Sequence, residues 1–123
     1  MKLIFPFFLF FYLSFGSVVI EAFYNPNCGC CHKYFEKLEK QGFKVKRNPI
    51  EYRELLKLKT QLGIPVDKRS CHTMVMKDGK FIEGHVPVEG IKALMNSKAK
   101  GVYSPHGVKS ASGDFEKVYE LIK

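Results

Sequence analysis

Two cysteines, Cys28 and Cys31, are separated by two residues at the point where an apolar segment meets a segment with helical spacing. A Cys-x-x-Cys motif placed between a strand and a helix restricts the choice of fold, because this combination is a moderately specific signal for one kind of α/β domain. All four cysteines lie in two short segments, 27–32 and 70–73. Thiolates bind soft metal ions and attack disulfides, so we expect function to reside in these two segments.

Length and composition indicate one globular domain, since the chain has 123 residues, of which 46% are hydrophobic and 26% charged. Its first sixteen residues predict a secretory signal peptide, with a positive start at Lys2, an apolar stretch and cleavage after Gly16. The alternative is an uncleaved membrane anchor, because the uncharged stretch continues to Ile20 and is long enough to cross a bilayer. We favour export, since residues 18–23 also read as the strand that leads into the cysteines.

The formal charge is +8, and the basic residues are dispersed along the chain. Lysines such as Lys57 and Lys59 are interpreted as solvated faces of helices, without a basic block or interleaved aromatic residues. Nucleic acid is therefore not an expected partner. Export would also permit a structural pair of disulfides, but three cysteines within four residues would close loops too small to stabilise much.

The rest of the chain alternates between strand and helix patterns. The expected elements are a strand over 17–24, a helix over 28–41 capped by Asn27, a strand around 43–45, a helix around 52–62, a hairpin of 71–76 and 81–83, a third helix with Pro87 in its first position, and a last helical segment over 115–122. The first helix has a buried stripe of Cys31, Tyr34, Phe35 and Leu38.

This order of elements, with Cys28 and Cys31 at the start of the first helix, predicts a thioredoxin-like α/β domain over residues 17–123, with a mixed sheet flanked by helices. The helix amides and dipole should lower the pKa of the exposed Cys28. In such a fold the loops before and after the hairpin lie against the cysteine helix. Cys71 then takes the place of the usual cis-proline, and His85 lies in the second loop.

Convergence of the three loops would collect soft ligands around one small volume. The candidate metal ligands are Cys28, Cys30, Cys31, Cys71, His72 and His85.

Four segments resemble the CopG-type family of exported metal-binding proteins over roughly residues 18–96. They are Cys28-Gly29-Cys30-Cys31, Leu62-Gly63-Ile64-Pro65, Ser70-Cys71-His72-Thr73 and Ile82-Glu83-Gly84-His85-Val86-Pro87. The resemblance implies a thioredoxin-like fold, an extracytoplasmic location, association with copper resistance, and copper bound by the cysteines with help from histidine.

The tail, residues 97–123, departs from the family pattern, because it lacks the repeated Gly-Met motifs and has no methionine after Met95. His106 lies in the corresponding loop and is a further candidate ligand, although a lone loop histidine is more often solvated.

The histidines differ in their expected roles. His85 is expected to bind metal, and His72 either to bind it or to lie buried beside the ligands, whereas His32 is expected to point along an exposed helix face. Glu83 either orients His85 or faces solvent. Met74 and Met76 alternate in a strand and are interpreted as core residues.

Two function classes follow from these residues. The first is a periplasmic protein that sequesters or transfers Cu(I), with zinc as the second choice of metal and another copper-handling protein of that compartment as a partner. The second is an oxidoreductase, in which Cys28 and Cys31 exchange disulfides or pass electrons to copper. Cys71, in the place of the cis-proline that is usual in thioredoxin-like folds, favours metal binding over disulfide exchange. No membrane association is expected unless the N-terminal segment is retained.

Overall fold

The apolar segment before the cysteines forms strand β1 (Val19–Tyr24) in the computed structural model, which describes residues 18–123. Ile20, Ala22 and Tyr24 are buried and alternate with more exposed residues, so one face of the strand lies in the core. The predicted signal peptide, residues 1–16, lies outside the described residues. Within residues 18–123, none of the helices combines the length and apolar character needed to cross a membrane.

The remaining elements largely follow the predicted order. They are α1 (Gly29–Lys40), β2 (Lys44–Pro49), α2 (Tyr52–Gln61), a 3-10 turn (Val66–Lys68), β3 (His72–Met76), β4 (Phe81–Glu83), α3 (Val88–Met95), β5 (Gly101–Tyr103), α4 (Val108–Ala111) and β6 (Glu120–Ile122). The order strand, helix, strand, helix, hairpin, helix is confirmed.

The predicted last helix over 115–122 is wrong. Part of that segment forms β6, which pairs antiparallel with β5 through Gly101↔Ile122, Val102↔Leu121 and Tyr103↔Glu120. Hydrogen bonding to the open edge of β5 therefore overrides the local helical spacing.

Two predicted helix starts are also displaced. Cys28, not Asn27, is the residue that precedes the first turn of α1, and no side chain caps that turn. Pro87 precedes α3 and is not its first helical residue.

Six strands form one mixed sheet in the order β2-β1-β3-β4-β5-β6. The pairs β1/β2 and β4/β5 are parallel, and the other neighbours are antiparallel. The β1/β3 ladder ends at Tyr24↔His72. As a result, the turn that leads to Cys28 and the loop that carries Cys71 lie at the same end of the two neighbouring strands.

The helices cover both faces of this sheet. The predicted stripe of α1 is buried as expected, and it packs with Met74, Ile82 and α3 residues Ile91 and Leu94 into the main core. On the other face, α2 inserts Leu55 and Lys59, and the Lys59 side chain reaches Thr73 of β3. Met74 is a core residue as predicted.

Gly84 follows β4 at a point where two backbones approach closely. Its φ is +87°, and a Cβ there would lie 2.5 Å from the carbonyl oxygen of Ser104. Gly79 in the hairpin turn has a similar φ of +91° but has no atom within 4 Å of its Cβ position. A side chain at Gly79 would therefore cause backbone strain alone, whereas a side chain at Gly84 would cause both backbone strain and steric overlap.

We expect Gly79→Ala to lower the free energy of unfolding by about 1–2 kcal/mol, the cost of a left-handed backbone for a residue with a Cβ. Gly84→Ala should cost about 1–3 kcal/mol more, because it adds overlap with the Ser104 carbonyl group. Urea unfolding of the metal-free protein measures both. Equal losses would show that β4 and β5 separate without penalty.

Candidate metal centre

Cys28 and Cys31 lie at the start of α1 and form a disulfide, with their Cα atoms 5.4 Å apart. Cys31 is fully buried and belongs to the apolar stripe of the helix, whereas Cys28 is half-buried. Reagents and metal ions therefore reach this sulfur pair from the side of Cys28.

Cys30 extends the pair into a cluster of three sulfurs. Its Sγ lies 3.5 Å from the Sγ of Cys28, and the sulfurs of Cys28, Cys30 and Cys31 all lie within 4.8 Å of one another. Cys30 itself is free and half-buried. Once the disulfide is reduced, this spacing lets the sulfurs bind one soft metal ion or bridge several.

Cys71 is a free, exposed cysteine in the loop that enters β3. Partial burial raises the pKa of its thiol, and interaction with the neighbouring Cys30 raises that pKa further. The structure therefore brings the fourth cysteine beside the cluster, although it lies 43 positions from Cys28 in the chain.

His72 is buried behind Cys31. Its Nε2–H donates to the carbonyl oxygen of Gly84 at 3.1 Å, and its Nδ1 lies 3.4 Å from the Sγ of Cys31. Since a carbonyl group only accepts, Nδ1 is the unprotonated nitrogen and its lone pair faces the sulfur. Burial, together with the charges of His85 and Lys59, lowers the pKa of His72 to about 3. The ring is therefore neutral at physiological pH.

His85 is the next group in this chain of contacts, with its ring centroid 5.4 Å from that of His72. It is buried, and its Nδ1–H donates to the carbonyl oxygen of Asp114 at 3.0 Å, which leaves Nε2 unprotonated. Burial also lowers the pKa of His85. His106 is exposed in the loop between β5 and α4, and its charge contributes to the lowered pKa of His85.

Tyr34 lies in the core, as its place in the α1 stripe predicts, and it also takes part in the site. Its ring stacks on those of His72 and His85, with centroid distances of 5.3 Å and 4.6 Å. Its hydroxyl group donates to the carbonyl oxygen of Val86 at 2.7 Å. Tyr34 therefore fixes the orientation of both imidazoles. The contacts are not local in sequence, so helical spacing alone predicted only its burial.

His32 lies apart from these groups. It is half-buried, its ring lies nearly perpendicular to that of Tyr24 at a centroid distance of 5.0 Å, and Nη1 of Arg47 lies 3.4 Å from its Nδ1.

Lys59 was predicted to face solvent, and that prediction is wrong. It is 1% exposed, and its Nζ forms an ion pair with Glu83 that is itself completely buried. Glu83 therefore neither faces solvent nor orients His85. Burial lowers the pKa of Lys59, while the charge of Glu83 acts in the opposite direction. The signal in the sequence was the spacing, because Lys59 follows the buried Leu55 by one helical turn.

Comparison with known proteins identifies the family. Two solved structures, described as "Copper resistance protein copG- Form 1" and "Form 2", are 38% and 39% identical to this chain, with TM-scores of 0.67 and 0.66. Each match covers 72% of this chain and 69% of the other. The chain belongs to the CopG family. Residues 68–112 also match a family described as "Protein of unknown function, DUF411". The search of curated proteins gave no match.

The CopG match confirms the family indicated by the sequence motifs. The cluster of Cys28, Cys30 and Cys31 is suited to binding a metal ion, which is in keeping with a copper-resistance family.

The buried His72 should make stability depend on pH. An unfolded histidine binds its proton near pH 6.5, whereas His72 stays neutral down to about pH 3. Below pH 6.5 the unfolded chain therefore binds more protons, and stability falls as the pH falls. We expect His72→Gln to remove from the unfolding free energy of the metal-free, disulfide-bonded protein a slope of about 0.7 kcal/mol per pH unit near pH 6.5, which rises toward about 1.4 kcal/mol per pH unit near pH 5.

Chemical denaturation between about pH 5 and pH 6.5 measures that slope while most carboxyl groups stay ionised. His106→Gln, at an exposed position, is the matched control. Parallel profiles for wild type and His72→Gln would contradict the burial of a neutral imidazole at this position.

Proposed function

We propose that the chain binds Cu(I) through Cys28, Cys30, Cys31 and Cys71, and that it sequesters the ion or transfers it in copper resistance. The observation that carries this proposal is the cluster of three sulfurs within 4.8 Å of one another in a member of the CopG family. Thiolates are soft ligands that select Cu(I) over harder ions. Zinc is the second choice, because it also accepts cysteine and histidine ligands.

Histidine completes this proposed ligand set. His85 is neutral with Nε2 unprotonated, and the lone pair of His72 Nδ1 already faces Cys31. Each can bind a metal ion or hold a cysteine in place. We assign His85 to the metal first, His72 second, and His106 as a ligand recruited from the exposed loop.

The proposal includes a thioredoxin-like domain and export to the periplasm, with residues 1–16 as the leader. Support for the fold comes from the Cys-x-x-Cys motif at the start of α1. A disulfide between Cys28 and Cys31 fits an oxidising compartment. Another copper-handling protein of that compartment would supply or receive the ion. If residues 1–16 are not cleaved, the domain would be anchored to the inner membrane.

Competition titration of the anaerobically reduced protein against a chromogenic Cu(I) chelator tests the metal assignment. We expect Cys71→Ser to weaken Cu(I) binding about as much as Cys28→Ser, because both sulfurs border Cys30. His32→Asn is the matched control and should bind as wild type does, since His32 contacts Tyr24 and Arg47. Failure of the wild-type protein to retain Cu(I) against a weak chelator would contradict the proposal.

A second candidate function is redox exchange with copper, and the Cys28–Cys31 disulfide favours it. In this reaction two Cu(II) ions each accept one electron from the Cys28 and Cys31 thiols, which lose two protons and form the disulfide. The resulting Cu(I) is then held by the remaining sulfurs. Reversal would reduce the disulfide and release Cu(II).

Adding Cu(II) to the reduced protein without oxygen should therefore form about two Cu(I) for each new disulfide. Cys28→Ser should abolish the Cys28–Cys31 disulfide and the Cu(I) formed with it, whereas Cys71→Ser should retain that disulfide and lose only part of the copper binding. Mass spectrometry after thiol alkylation counts the disulfide. Disulfide exchange with peptides should be slow by comparison, so rapid reduction of insulin by the metal-free protein would favour a thiol oxidoreductase instead.

A further inference from the structure

Cys71 is exposed, but the residues on both sides of it are tied to a buried ion pair. On one side, the Ser70 N–H donates to Oε2 of Glu83 at 2.7 Å. On the other, Nζ of Lys59 donates to the carbonyl oxygen of His72 at 3.1 Å. The backbone that carries the Cys71 side chain is thus held at the N–H of the residue before it and at the carbonyl group of the residue after it.

The ion pair is itself fully bonded. Besides the His72 carbonyl group, Lys59 donates to Glu83 and to Oγ1 of Thr73, which accounts for all three of its N–H donors. Thr73 Oγ1 in turn donates to Oε1 of Glu83 at 2.7 Å. The Ser70 hydroxyl group lies within hydrogen-bond distance of both Glu83 and the His72 carbonyl oxygen. Helix α2 and strands β3 and β4 therefore meet in one network.

Stability alone does not account for this arrangement. Removing two charges from water is costly, and well-packed apolar residues of similar volume often stabilise a core as well or better. The network offers what apolar residues lack, namely directed bonds to the backbone at residues 70 and 72. His72 also places its ring nitrogen 3.4 Å from Cys31, so the same bonds fix a residue that touches the other cysteine segment.

We propose that Lys59 and Glu83 are positioning residues, which hold the Ser70–His72 backbone so that Cys71 faces Cys30 and completes the thiolate site. The proposal rests on the proposed function for the role of Cys71 in metal binding. The placement of Cys71 can be measured without metal.

The metal-free test uses protein carrying Cys28→Ser and Cys31→Ser, which leaves Cys30 and Cys71 as its two thiols. Equilibration with glutathione buffers gives the effective concentration of one thiol for the other. Into this background we introduce Lys59→Met, Thr73→Val and Glu83→Leu together, so that neither buried charge is left without its partner, while the Ser70 hydroxyl group can still donate to the His72 carbonyl oxygen. We expect the effective concentration to fall about 10–100-fold, as for loss of groups that orient ligands.

The matched control is Lys57→Met with Glu54→Leu. This ion pair lies on the same helix, but its side chains are exposed and its N–O distance is 3.7 Å. The control should leave the effective concentration unchanged. If the triple variant does not fold, Lys59→Met with Glu83→Gln removes the bond to the His72 carbonyl group while keeping an acceptor for Ser70, and it should shift the equilibrium in the same direction.

A double-mutant cycle on Cu(I) affinity then tests the link to the metal. With all four cysteines present, the triple substitution should weaken Cu(I) binding about 10–100-fold. With Cys71→Ser already in place, it should have a much smaller effect, because most of its action passes through Cys71 and only the remainder through His72.

Two results would overturn the proposal: an unchanged Cys30–Cys71 equilibrium, or an equal loss of copper affinity with and without Cys71. If the wild type binds no Cu(I), the proposed function fails, and the glutathione equilibrium alone still decides whether the network positions Cys71.

Discussion

The antiparallel pairing of β1 with β3 determines where the cysteines meet. Its last pair, Tyr24↔His72, places the turn before Cys28 beside the loop of Cys71, and the buried Ala22 and Met74 pair within the same ladder. A slip of one residue would turn each side chain of β3 to the opposite face of the sheet. His72 would then leave Cys31, and Thr73 would leave Lys59. Core packing on both faces fixes the register of β3 against β1, and this register in turn fixes the positions of the site residues.

Local periodicity explains what the sequence predicted well. The stripe of α1 that begins at Cys31 depends on contacts within one helix turn, and the structure buries it as expected. Its charge predicts an exposed Lys59, whereas the partner that lets this side chain be buried, Glu83, lies 24 residues away at the end of β4. The same spacing within α1 predicts that Tyr34 is buried. It does not predict that Tyr34 stacks on two histidines, because that contact depends on how three separate segments pack together.

The tail shows the opposite balance of local and distant effects. Residues 115–122 have helical spacing, yet residues 120–122 form a strand, because β6 supplies hydrogen-bond partners to the backbone groups at the edge of β5. The tail also reaches the site through its backbone: the carbonyl oxygen of Asp114 accepts from His85 Nδ1–H, and the N–H of Glu116 donates to the His85 carbonyl oxygen at 2.9 Å. The tail therefore supports His85 on both its side chain and its backbone, a role that needs no methionine.

Burial of Cys31 connects the two chemistries of the cluster. A thiolate at a fully buried position would carry a large desolvation cost, and the adjacent His72 is neutral and offers no compensating charge. Two arrangements avoid that cost. In the disulfide the sulfur carries no charge, and in a Cu(I) complex the metal neutralises the thiolate directly. Oxidation and copper binding thus compete for the same buried sulfur, so reduction of the disulfide creates a site whose charge favours a soft cation.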